Sequence, residues 1–260
     1  MEELPIITLL TDFGLKDTYV GQMKAVIFSI NPRAKIIDIT HEIEPQDIRE
    51  AAFLIKEYYG FFPQGSIHVA VVDPEVGSSR RPLAIKKEGQ IFIGPDNGIF
   101  SLILDDACKI YTIENKEFML KKISTTFHGR DIFAPVAANI SLGIDFNLLG
   151  KRIWDPVLLS NIYPKVESNN LYGEIVRFDR FGNAITNIDS NTFYDFIAHR
   201  EYRIEIGAIS FSSIANSYFE GDLICLFGSS GYLEFGCYKG SFRDRMGASR
   251  GDEVRVKITF

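Results

Sequence analysis

The residues best placed to do chemistry in this chain are charges standing where apolar segments stop. At Val71-Val72-Asp73-Pro74-Glu75-Val76-Gly77-Ser78-Ser79-Arg80-Arg81 a β-branched run ends on a carboxylate, turn-formers follow, and two guanidiniums come next. Ligands of open α/β sheets sit beyond the carboxyl ends of the strands, so an acid and a guanidinium at such a tip lie within reach of a substrate. Taken alone, the segment reads equally well as a surface turn whose ion pair contributes about 0–1 kcal/mol. The layout recurs, however, at Leu9-Leu10-Thr11-Asp12-Phe13-Gly14, at Ile91-Phe92-Ile93-Gly94-Pro95-Asp96-Asn97-Gly98, and at Thr126-Phe127-His128-Gly129-Arg130-Asp131. Polar tips on several apolar elements point to one shared pocket.

If Asp12, Asp73 and Asp96 converge with Asp179 of Phe178-Asp179-Arg180-Phe181-Gly182-Asn183, they form an acidic pocket suited to a cation, a metal or a hydroxyl-bearing ligand. One carboxylate accepts two hydrogen bonds at once, which fits the vicinal diol of a ribose. Clustered carboxylates also hold Mg²⁺, but His-x-x-His and Asp-x-Asp spacings are absent and no metal is expected. His128, flanked by Phe127 and Gly129, reads as an exposed tip ahead of a helix. Together with Asp12-Phe13-Gly14 it brings a kinase to mind, yet no glycine-rich loop or strand lysine precedes that Asp. Further on, Arg180 to Asn187 combines an aromatic ring with two amides, able to read a purine edge and cover its face. Gly228-Ser229-Ser230-Gly231-Tyr232 offers hydroxyls and backbone N–H groups suited to a carboxylate. Each of these two turns, alone, is more simply a tight hairpin. Neither Gly-x-x-x-x-Gly-Lys nor Gly-x-Gly-x-x-Gly occurs, which argues against a phosphate cradle.

The elements that must position these residues fall into two kinds. Over the first ~150 residues strand and helix patterns alternate, which predicts an α/β domain with a mostly parallel central sheet flanked by helices. Strands are expected at 6–10, 35–39, 67–72, 83–86, 90–93 and 110–113, and helices at 17–30, 46–59, 98–106 and 131–142. After a polar linker at 157–170 only short alternating segments follow, which predicts a small all-β barrel domain over 171–260. The α/β domain then occupies 1–156 and carries Asp73, Arg80 and His128. A net charge of −6 argues against a nucleic-acid partner. No apolar run approaches the ~20 residues of a membrane helix. The acidic opening Met1-Glu2-Glu3-Leu4-Pro5 is not that of a signal peptide. Cys108, Cys225 and Cys237 form no ligand motif; a cytoplasmic location with free thiols is the expectation, with a Cys225–Cys237 bridge as the alternative.

Taken together, these ordered motifs resemble one family: the S-adenosyl-L-methionine hydrolases (adenosine-forming), or S-adenosyl-L-methionine hydroxide adenosyltransferases, relatives of the 5′-fluoro- and 5′-chloro-adenosine synthases. The resemblance runs from Thr11-Asp12-Phe13-Gly14 through Asp73–Arg81, Pro95–Gly98 and Phe127–Asp131 to Phe181–Asn187 and Ser229–Tyr232. It implies an amino-terminal α/β domain, a carboxyl-terminal β-barrel, and a homotrimer with active sites between subunits. It also implies hydrolysis of S-adenosyl-L-methionine to adenosine and methionine, with no cofactor. The family's Asp-Arg-His trio falls on Asp73, Arg80 and His128, where Arg80 and His128 would hold and activate water, His128 as base, and Asp73 would fix their geometry. By the same resemblance Asp12 holds the ribose diol, with Phe127 among the substrate-binding residues. Asp179 and Ser229 bind the methionine amino group, Ser230 lies near its carboxylate, and Phe181 and Asn183 contact adenine. Glu75 departs from the family's glycine in Asp-Pro-Gly-Val-Gly, and the segment after Tyr232 departs from the usual Asn-containing run. The competing readings are a metal-dependent nucleotide phosphoesterase using Asp12, Asp73, Asp96 and His128, and a non-catalytic S-adenosylmethionine or adenosine sensor.

Overall fold

The computed structural model describes residues 6–259. The acidic opening segment 1–5 lies outside the described residues, as does Phe260. The chain divides into two compact units, the first closing at Leu159 and the second opening at Ser160.

The first unit is built from β1 (Ile6–Thr11), α1 (Tyr19–Ile30), β2 (Lys35–Thr40), α2 (Ile48–Tyr58), β3 (Ile67–Val71), β4 (Pro82–Lys87), β5 (Gln90–Pro95), β6 (Lys109–Thr112), α3 (Ala134–Ser141) and β7 (Arg152–Ile153). Its seven-stranded sheet runs β2-β1-β3-β5-β4-β6-β7. The pairings β1–β2, β1–β3 and β3–β5 are parallel, whereas β4–β5, β4–β6 and β6–β7 are antiparallel. The sheet is therefore mixed, and the expectation of a mostly parallel one holds only for its first half. The reason is local. Between Lys87 and Gln90 stand only Glu88 and Gly89, both at positive φ (49° and 78°), the signature of a tight primed turn. Two residues can reverse a strand but cannot make the crossover of a dozen or more that a parallel neighbour needs.

Both faces of the sheet are covered. Met23 and Ile27 of α1 and Ala134, Ala137 and Ala138 of α3 pack over Ile7, Leu9, Val69 and Val71. On the opposite face, Ala51 and Ile55 of α2 join Leu10, Ala70, Ile85 and Phe92. Every residue of β3 is buried, as expected of a strand inside a layered α/β unit. The helix expected over 98–106 is instead a pair of short turns, Ser101 N–H to Gly98 O and Ile103 N–H to Phe100 O.

The second unit comprises β8 (Lys165–Glu167), β9 (Asn170–Phe178), β10 (Ala184–Asp189), α4 (Ser190–Ile197), β11 (Tyr202–Ile206), β12 (Ile209–Phe211), β13 (Leu223–Phe227), β14 (Tyr232–Cys237), α5 (Phe242–Met246) and β15 (Glu253–Ile258). Its sheet runs β12-β11-β15-β9-β10-β14-β13, antiparallel throughout, with β8 added on β9. It curls around Leu171, Phe193, Phe235, Phe242 and Val256 into a nearly barrel-shaped layer. Ala215, just beyond β12, donates its N–H to Cys225 O on β13, across the two ends of the strand order. Helix α4 was not expected from the alternating pattern. It is started by Asp189, which accepts from Thr192 N–H at 3.0 Å, and held by Phe193, Phe196 and Ile197 turned inward. All three cysteines are free and buried.

One core histidine ties the stability of the first unit to pH. His68 on β3 has Thr8 Oγ1 at 2.9 Å from Nδ1 and Gln90 Oε1 at 2.9 Å from Nε2, among the rings of Tyr58, Phe62 and Phe92. Burial drives its pKa from 6.5 down to about 4. The unfolded chain takes up this proton near pH 6.5 while the folded one resists it until about pH 4, so stability falls as pH drops through that window, by at most about 3 kcal/mol. Urea unfolding at pH 7 and pH 4.5 is expected to show a larger loss for the native chain than for His68→Gln. Equal losses would rule out this histidine as the source.

Candidate active site

Strand β3 delivers Val72 and then Asp73 to the end of the sheet, where Asn97 Nδ2 donates to Val72 O at 2.9 Å and fixes the tip. The chain then turns twice, Val76 N–H bonding to Asp73 O and Ser78 N–H to Glu75 O, and brings Arg80 back beside its starting point. Gly77 makes this return possible. Its φ is +83°, and a Cβ there would collide with the carbonyl oxygen of Thr125. The contact seats the 73–80 loop directly on the segment that leads to His128. Glu75, by contrast, is exposed and is not among the positive-φ residues, so a side chain at that position introduces no backbone strain.

Arg80 is the hub of the site. Its Nε lies 3.0 Å from both oxygens of Asp73, and its Nη2 pairs with Asp73 Oδ2. The same Nη2 lies 2.7 Å from His128 Nδ1. The guanidinium stacks 5.3 Å from the Phe133 ring centre, and the Arg80 and Asp73 side chains are each only 4% exposed. Arg80 Nη1 is buried and finds no hydrogen-bond partner among the described residues. An unsatisfied buried donor on a cation is costly and marks a place prepared for an acceptor.

Because a guanidinium can only donate, His128 Nδ1 is the acceptor and the neutral ring carries its proton on Nε2. Burial, and next the charge of Arg80, push the His128 pKa down and favour that neutral form. His128 leads into a π turn, Gly129–Phe133, which runs into α3. A wide turn of this kind is uncommon and recurs at functional sites. It explains why regular helix begins at Ala134 rather than at 131.

Asp12 follows β1 into the same neighbourhood. Its Oδ2 accepts Gln46 N–H at 2.9 Å. Burial raises its pKa, and the like charge of Asp73 adds to the rise, which places the two carboxylates within each other's field. Phe127 is buried and meets Phe13 and Tyr19 edge to face at centroid distances of 5.7 and 5.1 Å. These rings, with Gln22, Ser124, Thr126 and Arg130, line a cleft of about 370 Å³. Asp12, Asp73, Arg80, Phe127 and His128 are thus gathered in the first unit.

Asp96 is engaged elsewhere. Its Oδ2 accepts Arg81 Nε at 2.7 Å and its Oδ1 accepts Val157 N–H at 2.8 Å, while Arg81 also reaches Asp155. Both oxygens of Asp96 are committed to holding the end of the first unit in place. Among the described residues no three His, Cys, Asp or Glu side chains are grouped so as to hold a metal ion.

The remaining predicted residues lie in the second unit. Asp179 organises its own turn: Oδ1 accepts the N–H groups of Phe181 and Asn183, and Oδ2 accepts Asn183 Nδ2, each at 2.9 Å. Phe181 projects its ring, 75% exposed, while Asn183 is buried. Ser229 and Ser230 occupy the β13–β14 turn, closed by Gly228 N–H to Tyr232 O at 3.0 Å. Two further residues join this end of the unit. Glu234, buried on β14, accepts from the hydroxyl of Tyr218, and its carboxylate approaches the Cα of Gly228 so closely that a Cβ there would collide with it. Burial, and next the bond to Glu234, raise the Tyr218 pKa. The signal for Glu234 was present in the sequence, as one acid in the otherwise apolar run Tyr232–Cys237. Tyr218 lies in the irregular stretch Ser217-Tyr218-Phe219, whose aromatic residues are plain in the sequence while the partner of the hydroxyl is not.

Comparison with known proteins adds the following. The description "SAM hydroxide adenosyltransferase N-terminal domain" matches residues 7–150, and "SAM hydroxide adenosyltransferase C-terminal domain" matches residues 173–255. A curated (R)-S-adenosyl-L-methionine hydrolase of Thermus thermophilus is 35% identical over 256 residues, covering 95% of this chain and 97% of its own. Another, from Methanocaldococcus jannaschii, is 37% identical over 267 residues, covering 97% and 96%. A crystal structure of a conserved protein from Thermotoga maritima superposes with a TM-score of 0.88 at 37% identity, covering 96% of this chain and 99% of that one.

The Gly77–Thr125 contact has a measurable consequence. Gly77→Ala is expected to destabilise the protein by about 2–3 kcal/mol, from the left-handed backbone and the collision together. Glu75→Gly is expected to cost under about 1 kcal/mol. Urea midpoints read both, and a Gly77→Ala midpoint equal to that of the native protein contradicts the tight seating.

Proposed function

We propose that this chain, which belongs to the SAM hydroxide adenosyltransferase family, acts through water attack at the ribose C5′ of its substrate, in line with the departing sulfur. It is an S-adenosyl-L-methionine hydrolase, releasing adenosine and L-methionine; curated hydrolases of that name match it over its full length. The observation that best supports our mechanism is the Asp73–Arg80–His128 set, in which the buried guanidinium keeps one nitrogen without a partner among the described residues.

The substrate's sulfonium leaves as a neutral thioether, so no general acid is needed, and this supports a reaction without cofactor or metal. The demands fall on alignment and on the nucleophile. Holding an oxygen in line with C5′ and sulfur supplies about 7–11 kcal/mol. Water, with a pKa near 15.7, is the harder problem. A guanidinium about 4 Å away at an effective dielectric of about 20 contributes ~4 kcal/mol, roughly three pKa units. The sulfonium of the bound substrate is a second cation of the same order. Asp73 offsets part of this field, so its contribution is to lock Arg80 in place.

Arg80 Nη1 accordingly holds the attacking oxygen. His128, bonded to Arg80 through Nδ1, braces the guanidinium that presents Nη1. Base action by His128 requires Nδ1 to be freed from Arg80. The geometry favours a hydroxide formed between two cations, its proton passing to solvent. Asp12 takes the ribose diol, with Phe127 in the adjoining wall. In the second unit, Asp179 and Ser229 receive the methionine amino group and Ser230 its carboxylate. Phe181 and Asn183 meet adenine, a role that the projecting Phe181 ring suits.

The family resemblance supports a homotrimer with active sites at subunit interfaces. Trp154, Val157 and Leu158, exposed on the first unit, are side chains an assembly would cover. Free buried cysteines support a cytoplasmic location. No helix among the described residues is long and apolar enough to cross a membrane.

Turnover of S-adenosylmethionine in H₂¹⁸O tests the attack. The label is expected in the 5′-hydroxyl of adenosine; label in an amino-acid product places the attack on the other side of sulfur. Ligand binding with no products would indicate a sensor, and chelator-sensitive phosphate release from nucleotides a phosphoesterase. Arg80→Lys is expected to lower kcat by about 100-fold with KM within a few-fold, since one point charge cannot serve Asp73, His128 and the oxygen together. For a hydroxide mechanism kcat rises about tenfold per pH unit across neutrality. A plateau already reached by pH 6.5, above the depressed His128 pKa, would instead make His128 the base.

A further inference from the structure

His41 stands just beyond the end of β2, 3% exposed, and the reaction derived above makes no use of it. Its Nδ1 lies 2.8 Å from Thr11 Oγ1, the residue before Asp12. That same oxygen accepts the N–H of Phe13, the residue after Asp12, at 3.3 Å. The His41 carbonyl accepts Gly14 N–H at 2.7 Å, where the backbone turns at φ +63°. On the far side of the ring, Nε2 lies 3.1 Å from Asp38 Oδ1, and Asp38 is paired with Lys24 at 2.5 Å. Five residues further along, Gln46, at φ +70°, sends its N–H into the Asp12 carboxylate. His41 is therefore tied, by its ring and by its carbonyl, to the chain on both sides of Asp12, and it lies in the segment that caps Asp12 directly.

We propose that His41 is a positioning residue for Asp12, fixing the carboxylate that holds the ribose diol and so setting affinity for the nucleoside end of the substrate. The inference rests on the ribose role given to Asp12. Gripping a diol with one carboxylate demands placement within about 0.5 Å. The Asp12 carboxylate is held by backbone N–H groups, that of Gln46 and its own, so its placement follows the placement of the turn. Thr11 Oγ1 already accepts the Phe13 N–H, which turns its own proton toward Nδ1, and the ring orients that hydroxyl. Burial then makes the ring a rigid strut between the surface pair Asp38–Lys24 and the Asp12 turn. The attack at C5′ lies with Arg80 and His128, which His41 does not touch.

The test separates the two faces of the ring. His41→Asn places an amide oxygen close to the position of Nδ1 and keeps the acceptor for Thr11. His41→Gln reaches toward Asp38 and loses that acceptor. Adenosine binding by calorimetry is expected to stay within about threefold of the native protein for His41→Asn, and to weaken about tenfold for His41→Gln, the loss of one buried hydrogen bond. Thr11→Val removes that bond together with the Phe13 N–H bond to the same oxygen and is expected to weaken binding at least as much as His41→Gln, which keeps the inference testable if a His41 variant fails to fold. With S-adenosylmethionine, KM should rise by the same factor while kcat stays within about twofold. Equal weakening by Asn and Gln, native-like binding by Thr11→Val, or a fall in kcat without a rise in KM each overturns the positioning role. Asp12→Asn is the control. If it binds adenosine as the native protein does, the ribose assignment fails and the His41 inference with it. If it weakens binding while the His41 and Thr11 variants do not, the inference alone fails.

Discussion

The rest of the candidate site depends on a buried cation with more donors than the protein uses. Arg80 is nearly stripped of water, and the attraction of Asp73 is what makes that burial tolerable. Removing one partner of such a pair typically costs several kcal/mol, because the other is left charged and dry. Once Nε and Nη2 are committed to Asp73 and His128, the planar fork leaves its remaining nitrogen buried and without an acceptor among the described residues. A lysine could balance the charge but could not impose that direction. The trio is a device for aiming a donor as much as for supplying a charge.

The sheet explains why these groups meet. β1 and β3 are adjacent and parallel, with Thr11 opposite Val71, so Asp12 and Asp73 leave the sheet at the same end. The mixed character of the other half does not disturb this, because the antiparallel strands lie beyond β5. Arg80 returns through the loop after β3, and His128 arrives from a distant segment held by the Gly77–Thr125 contact. Residues far apart in the chain are therefore fixed by one strand register and one close backbone approach.

Much of this was legible in the residues themselves. β-branched runs ending on Asp12 and Asp73 announced strands with functional tips, and the pairing of Asp73 with Arg80 followed from a loop of matching length. Asp96 shared the same signature and proved structural, because pattern cannot tell which partner a carboxylate will find; Arg81 and the Val157 amide claimed it. The antiparallel half of the first sheet hangs on Glu88-Gly89, a two-residue signal set inside a long alternation of strand and helix patterns. The partnership of Glu234 and Tyr218 joins a strand to an irregular stretch and leaves no periodic trace. His41 is the plainest case: only three-dimensional proximity reveals that it faces Thr11.

The π turn after His128 carries a consequence of a different kind. Ala134 N–H reaches back five residues to Gly129 O, one more than an α-helix allows, so the turn amounts to a single accommodated insertion. Deleting one residue there would restore regular winding and swing everything ahead of it about 100° around the helix axis. His128 would leave Arg80 while α3 stayed folded. Length variation at this point could thus switch the chemistry of a descendant without endangering its scaffold, a route to divergence that point substitution does not offer.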